Sequence, residues 1–247
     1  MIPKIIHYCW FGEKPLPPFI LSCISTWRSK LPEYEIIEWN EKNFDINKVR
    51  FVKEAYSNKK FAFVSDFVRL YALYNLGGIY LDTDVTVLKK FDPLLNSRCF
   101  VGFEDQEIIA TCVIGVEKNH PLVKEFMEYY HTQSFDKRDM PPNVIHFSKL
   151  LKDRGLNFNN HYQKINDDIE IYPSDYFSAK SFKTGLIKKT TNTYSIHHFA
   201  GSWLPKYVVF ESMLWGKLGC RDFRLLDSLR WKIKKITKIV KNIKFIQ

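Results

Sequence analysis

The sequence predicts an α/β fold, and three observations carry that expectation. Short apolar runs alternate with segments whose apolar residues recur at helical spacing, the order that builds sheets flanked by helices. The chain has 247 residues, 45% apolar and 16% aromatic, enough to bury a substantial core in one domain or a domain with an appendage. At Phe61–Pro93 a helical segment, a Gly-Gly turn and a short strand lead into Asp82-Thr83-Asp84, so two acids fall where the strand emerges. Ligands of α/β proteins bind at such strand exits. Two carboxylates one residue apart make a hard oxygen site for a divalent cation, which makes a nucleotide or phosphoryl ligand the first expectation.

Taken in order, Lys4–Phe11 reads as a buried first strand, closed by Gly12 and by Pro15, Pro17 and Pro18. The loop after a first strand commonly borders the ligand, and Trp10 sits there. Its indole could stack on a nucleobase or simply fill the core. Phe19–Leu31 has helical spacing and meets Pro32, Glu35–Trp39 reads as a second strand, and Val49–Ser57 as a helix.

Phe61–Leu76 is read as a helix that is apolar nearly all round and therefore buried. Arg69 is four residues from Ser65 and three from Asp66, so it can share a helical face with each. A buried Asp and Arg must pair or touch a ligand, and both readings stand, a structural salt bridge or a binding pair. Gly77-Gly78 ends the helix, as a left-handed cap demands. Ile79, Tyr80 and Leu81 form the buried strand before the acids.

Beyond Asp84, Val85–Leu88 reads as a β extension, Phe100–Glu104 and Thr111–Gly115 as strands, and Pro121–His131 and Asn143–Asp153 as helices. Residues 132–142 and 155–168 read as polar connections bordering an acceptor pocket. Ile169–Tyr172 and Ser195–Phe199 are short apolar stretches, the second followed by the loop Gly201-Ser202-Trp203. His197 and His198 supply a possible nitrogen ligand beside the acids, which would suit Mn²⁺, and the sequence does not separate one histidine from the other.

The net charge of +10 is mostly a property of the tail. Residues 228–247 hold seven cations and no acid. Over Phe223–Ile246, Leu225, Leu229, Ile233, Ile236, Val240 and Ile243 fall on one side of a helical wheel, with lysines and Arg230 over most of the rest. Such a helix suits an anionic membrane surface or a partner helix, and otherwise a terminal helix packed on its own domain. The body lacks a basic, aromatic platform, which argues against nucleic acid. Five scattered cysteines without C-x-x-C favour a reducing cytosol over a disulfide framework or structural zinc. No signal peptide and no membrane span are evident.

The order IPKIIHYCWFG, EIIEWN, AFVSDFVRLYALYNLGGIYLDTDV and IHHFAGSW resembles the family 32 glycosyltransferases, which include bacterial capsular and surface-polysaccharide sugar transferases and the yeast initiating mannosyltransferases. The central block is also similar to the glucosyltransferase domain of the large clostridial toxins. The resemblance covers residues 2–118 well and returns at 195–203. It implies a GT-A fold, a mixed sheet flanked by helices with a Rossmann-like nucleotide half. Residues 1–222 would form the catalytic domain and 223–247 the basic helix. It further implies a nucleotide-sugar donor, with UDP sugars favoured and GDP-mannose second, Mn²⁺ or Mg²⁺, and retention of anomeric configuration.

By position, the resemblance gives Trp10 to the donor base, and Asp66 and Arg69 to the donor sugar and its phosphates, with Ser65 and Tyr80 nearby. Asp82 would reach the ribose and the metal, Asp84 would bind the metal directly, and His198 would be the third protein ligand. Ser202 and Trp203 would lie on a loop over the diphosphate. Asp66, Arg69 and Asp84 are the catalytic candidates, with Glu104 and Asp105 as further helpers. No carboxylate is an evident nucleophile, so front-face attack is the expected course. The acceptor would be a saccharide or lipid-linked saccharide on the cytoplasmic, inner membrane face.

Two other readings compete. Leu81-Asp82-Thr83-Asp84-Val85-Thr86 also fits the D-x-D-x-T signature of haloacid-dehalogenase-type phosphatases, with Asp82 as nucleophile. That signature usually lies on the first strand and needs a later Gly-Asp pair. A carbohydrate-binding module without turnover is the non-enzymatic alternative.

Overall fold

The computed structural model describes residues 1–136, 141–182 and 184–201. Their order is β1 (Ile5–Cys9), α1 (Pro18–Lys30), β2 (Glu35–Trp39), α2 (Arg50–Ser57), α3 (Phe61–Leu76), β3 (Gly78–Leu81), β4 (Val85–Val87), β5 (Cys99–Gly102), β6 (Val113–Val116), α4 (Pro121–Thr132), α5 (Asn143–Lys152), β7 (Gln163–Ile165), β8 (Ile169–Tyr172), α6 (Ser174–Phe177) and β9 (Ser195–His197). A seven-stranded sheet runs β2-β1-β3-β6-β5-β8-β7, and β4 pairs with β9 in a second small sheet.

β1 pairs in parallel with both β2 and β3, β6 runs antiparallel to β3 and β5, and β5 is parallel to β8. The sheet is therefore mixed, with a parallel half, and flanked by helices. This is the α/β architecture that the sequence predicts and that the resemblance implies for a GT-A fold. Because β1, β2, β3, β5 and β8 point the same way, their carboxyl ends open on one edge. Trp10, Asn40 and Asp82 follow three of those ends.

Strand alternation divides the core between two faces. Ile79 and Leu81 join Ile6, Tyr8, Trp27 and Phe91 on one face. Tyr80 turns to the other, among Phe67, Val68 and Leu70 of α3. That alternation puts Tyr80 beneath the polar pair of α3, which matters for the site.

The turn between α3 and β3 needs glycine twice. Gly77 has φ +68° with ψ −172°, outside the left-handed helical well expected of a cap and in a region open to glycine alone. Its N–H still closes the helix on the Leu73 carbonyl at 2.8 Å. Gly78 has φ +109°, and a Cβ there would stand 2.6 Å from the Ile5 carbonyl oxygen. The close approach of β1 and β3 depends on its absence.

Several bounds differ from expectation because a run of apolar residues outlasts the ladder that uses it. The run at Phe100–Glu104 pairs as Cys99–Gly102, Thr111–Gly115 as Val113–Val116, and Ser195–Phe199 as Ser195–His197. Within 155–168, read as a polar connection, Gln163–Ile165 forms β7 against β8, an edge strand with only Ile165 buried. A strand with one inward side chain leaves no alternation to read.

These elements belong to one compact unit, Met1–Ser181 with the chain from Ile187. Residues 182–186 fall in a second unit, where the Leu186 N–H donates to Thr184 Oγ1 at 3.3 Å. The loop residues Ser202 and Trp203, the 222/223 boundary and the basic helix 223–247 lie outside the described residues. Among the described residues, no helix is long and apolar enough to cross a membrane.

Candidate active site

β3 delivers Asp82 to the open edge, and a tight turn carries the chain on to Asp84. The Asp82 N–H donates to the Cys112 carbonyl of the neighbouring strand at 2.9 Å, and the Val85 N–H donates back to the Asp82 carbonyl at 3.0 Å. Trp27 of α1, fully buried, donates its indole N–H to the Val85 carbonyl at 2.7 Å. β9 then closes over β4, with His197 opposite Val85 and Ile196 opposite Thr86. The His198 N–H donates to the Asp84 carbonyl at 3.1 Å, and the Ala200 N–H to Asp84 Oδ2 at 2.7 Å. Asp84 is thus buried and held at both its main chain and its carboxylate.

His197 Nε2 lies 3.3 Å from Asp84 Oδ1 and 4.0 Å from Asp82 Oδ2. One ligand atom from each of Asp82, Asp84 and His197 lies within 4.8 Å of the others. Two carboxylate oxygens and an imidazole nitrogen suit Mn²⁺ or Mg²⁺ by chemistry and by spacing. The resemblance pointed to His198 as the nitrogen ligand, and the strand sends it elsewhere. Neighbours on a strand face opposite ways, and His198 shares the face of Ile196 and Thr86. Its Nε2 is 2.8 Å from Thr86 Oγ1, and its ring meets Phe19 edge-on.

The ionisation of the cluster is coherent. Burial works to raise the Asp84 carboxyl, but the His197 ring and the Ala200 N–H bring it down to about 2. Burial works to lower His197, and the neighbouring Cys112 and Asp84 overcome it and raise the ring well above its ordinary value.

Beside the cluster, Arg69 organises a second group. Its side chain is only 6% exposed. Nη2 donates to Asp66 Oδ1 at 2.9 Å, Nη1 to the Thr111 carbonyl at 2.8 Å, and Nε to the Ser65 carbonyl at 3.3 Å. Nη1 is also 3.3 Å from Asp82 Oδ1, and the guanidinium lies over the Tyr80 ring at 4.4 Å. Three of the five Arg69 N–H donors are given to protein acceptors. Here the pair reading and the site reading merge: Arg69 joins the helix carboxylate to the strand carboxylate. Tyr80 donates its hydroxyl to Asp82 Oδ1 at 3.0 Å.

Asp66 is pushed up to about 7, chiefly by burial, with Arg69 opposing and Asp82 adding to the rise. Its Oδ1 also accepts from Asn143 Nδ2 at 2.6 Å, and Asn143 Oδ1 accepts from Thr111 Oγ1 at 3.1 Å. Neither Asn143 nor Thr111 was among the candidates. An Asn opening a predicted helix reads as a cap, and nothing in the sequence tells that its amide is spent on another helix.

The other candidates are spread along the same edge. Ser65 keeps its hydroxyl within α3, donating to the Phe61 carbonyl at 3.1 Å. Trp10 is half-buried against the core face that holds Ile6 and Tyr8, its N–H donating to the Lys14 carbonyl at 2.6 Å. Glu104 and Asp105 lie in the loop after β5, where the Glu104 N–H donates to the Ile108 carbonyl and Asp105 Oδ1 accepts from the Glu107 N–H at 2.9 Å.

Residues 18–101 match the family described as glycosyltransferase sugar-binding region containing DXD motif. Inositol phosphoceramide mannosyltransferase 3 of Schizosaccharomyces pombe is 31% identical over 129 residues, covering 49% of this chain and 35% of the relative. Mannosyl phosphorylinositol ceramide synthase SUR1 of Saccharomyces cerevisiae is 28% identical over 130 residues, covering 49% and 33%. These matches span about a third of each relative's length. A solved PaToxG glycosyltransferase overlays with a TM-score of 0.48 at 19% identity, covering 62% of this chain and 68% of that one. The family and relative matches support a glycosyltransferase family.

Proposed function

We propose that this chain is a metal-dependent, retaining glycosyltransferase that moves a sugar from a nucleotide-sugar donor to a saccharide or lipid-linked saccharide acceptor. One observation carries the reading: Asp82, Asp84 and His197 converge at the carboxyl edge of a mixed sheet, with Arg69 joining Asp82 to Asp66 beside them. Asp82, Asp84 and His197 would hold Mn²⁺ or Mg²⁺, and that ion would offset the charge that gathers on the leaving diphosphate.

The chain's own residues do the rest. Asp84, ionised and pinned by the Ala200 N–H, gives the ion a fixed anionic partner. Arg69 fixes the two carboxylates relative to each other, so the sugar end and the diphosphate end of a donor meet a pre-set geometry. Asp66 orients hydroxyls of the sugar. Trp10 walls the base end of the edge, and the resemblance assigns Ser202 and Trp203, outside the described residues, to the diphosphate end. With no carboxylate assigned as nucleophile, attack proceeds on the leaving-group face.

The relatives' names favour a mannosyl donor, whereas the resemblance in the central block favours UDP sugars, so a donor screen carries both GDP-mannose and UDP sugars. The basic segment 223–247 would bring the enzyme to an anionic inner membrane face, where capsular or surface-polysaccharide intermediates are extended. The test is turnover of UDP-glucose, UDP-galactose and GDP-mannose with Mn²⁺ and with chelator, for wild type and Asp84→Ala. The reading requires turnover that needs the ion and Asp84. Undiminished turnover in the folded variant overturns it.

A further inference from the structure

His197 turns one ring nitrogen to the acids and the other inward. Nε2 is the atom that faces Asp84 and Asp82. Nδ1 is buried and, among the described residues, makes no hydrogen bond of good geometry. A ring that holds an ion through Nε2 is neutral and keeps its hydrogen on Nδ1. A buried N–H left without an acceptor costs free energy, so the group behind Nδ1 decides how well the ligand is held.

The fold puts Cys112 behind the ring. Ser195 and His197 share one face of β9. Ser195 Oγ donates to the Phe177 carbonyl at 3.2 Å, so that face looks onto the end of α6. The next residue, Ser178, has its Oγ 3.7 Å from Cys112 Sγ, and both side chains are buried. Cys112 lies within hydrogen-bonding and electrostatic range of the His197 ring. The cluster of ligand atoms is nevertheless formed by Asp82, Asp84 and His197 without it. The sulfur therefore stands off the carboxylate side of the imidazole, toward Nδ1.

A thiol can accept and donate at once, weakly in each direction. A chain from His197 Nδ1–H to Cys112 Sγ, and from the Cys112 S–H to Ser178 Oγ, uses each group once. The main chain of the same cysteine accepts the Asp82 N–H at 2.9 Å. Cys112 thus reaches one acid through its backbone and the histidine through its side chain, and a substitution there changes only the second contact.

We propose that Cys112 is a positioning residue for the metal centre: its sulfur accepts the His197 Nδ1–H and aims Nε2 at the ion. The inference rests on the metal-dependent reading above and deepens it. It assigns the support of one ligand to a side chain that meets neither the ion nor the donor.

The test is Mn²⁺ titration followed by electron paramagnetic resonance on the full chain, for wild type, Cys112→Ser, Cys112→Val and Cys112→Ala. Cys112→Val is close to the thiol in size but cannot accept, and it should raise the Mn²⁺ Kd about tenfold or more. Cys112→Ala should follow it, and either serves if the other does not fold. Cys112→Ser can still accept and donate, and should stay within about threefold of wild type. A second readout is the His197 Nδ1–H signal in Mg²⁺-loaded protein with labelled histidine. That proton should resist exchange in wild type and Cys112→Ser and exchange quickly in Cys112→Val. Equal affinity in all four proteins, or a Cys112→Ser as weak as Cys112→Val, overturns the proposal. So does a thiolate-to-metal charge-transfer band in Co²⁺-loaded wild type, which would make the sulfur a ligand. Wild type that binds no Mn²⁺ sinks the metal-dependent reading itself, and this inference with it.

Discussion

His197 Nε2 lies 3.3 Å from Asp84 Oδ1, while the adjacent His198 turns to Thr86. The two histidines therefore answer differently to the same substitution. His197→Ala should weaken Mn²⁺ affinity on the order of 10²-fold, as expected on removing one of three protein ligands. His198→Ala should leave it within about threefold, since its ring touches the site only through a strand neighbour. Manganese titration followed by electron paramagnetic resonance reads both. Equal losses for the two variants would defeat the assignment.

The same pair sets a pH dependence. A histidine must be neutral to bind a metal, and Cys112 and Asp84 raise His197 well above its ordinary value against the effect of burial. Asp84, held at about 2, stays ionised throughout and adds no slope. Manganese affinity should then fall as pH falls, by about tenfold per pH unit below the His197 pKa, with one proton released on binding. Calorimetry in buffers of different ionisation enthalpy counts that proton. A flat affinity between about pH 6 and 8 with no proton release contradicts the argument.

Arg69 answers to several acceptors at once, and lysine cannot replace that fork. Asp66, Asp82, the Thr111 carbonyl and the Ser65 carbonyl all lie within reach of one guanidinium. Arg69→Ala should cost about 3–5 kcal/mol, the usual effect of leaving buried carboxylates unpaired. Arg69→Lys should recover only part of it. The urea midpoint measures the loss, and an unmoved midpoint would mean that the guanidinium holds nothing together.

Much of this fold could be read from residue order, for reasons that individual elements make plain. β1, β3 and α3 are apolar along most of their lengths, and their breaks are glycines and prolines whose backbone needs are local. Asp82 and Asp84 were legible because a strand flanked by such breaks has a defined exit. His197 against His198 was not, because the choice depends on which β4 residue faces which β9 residue, a register set by tertiary pairing. Asn143 was hidden for a related reason. Its partner Asp66 is 77 residues away, and only the packed fold brings α5 to α3. Arg69 was visible as a residue but not in its role, since i,i+3 spacing shows one partner and the structure supplies the others.

Asp66 also makes stability depend on pH, with a sign opposite to that of most carboxylates. Burial raises its folded-state value to about 7 from an ordinary 3.8, with Arg69 opposing and Asp82 adding. Between those values the folded chain holds a proton that the unfolded chain has released. Its contribution to stability is therefore complete below 3.8 and is lost as pH rises through about 7. The full span of such a shift corresponds to about 4 kcal/mol, an upper bound because the carboxyl keeps some contact with water. Asp66→Asn keeps an acceptor for Arg69 but cannot ionise, so it lacks this loss. Its urea-unfolding free energy, relative to wild type, should rise from about pH 5 to about pH 7 and level off above that. A difference that stays constant across that window would show that Asp66 enters the fold already ionised, with Arg69 outweighing burial.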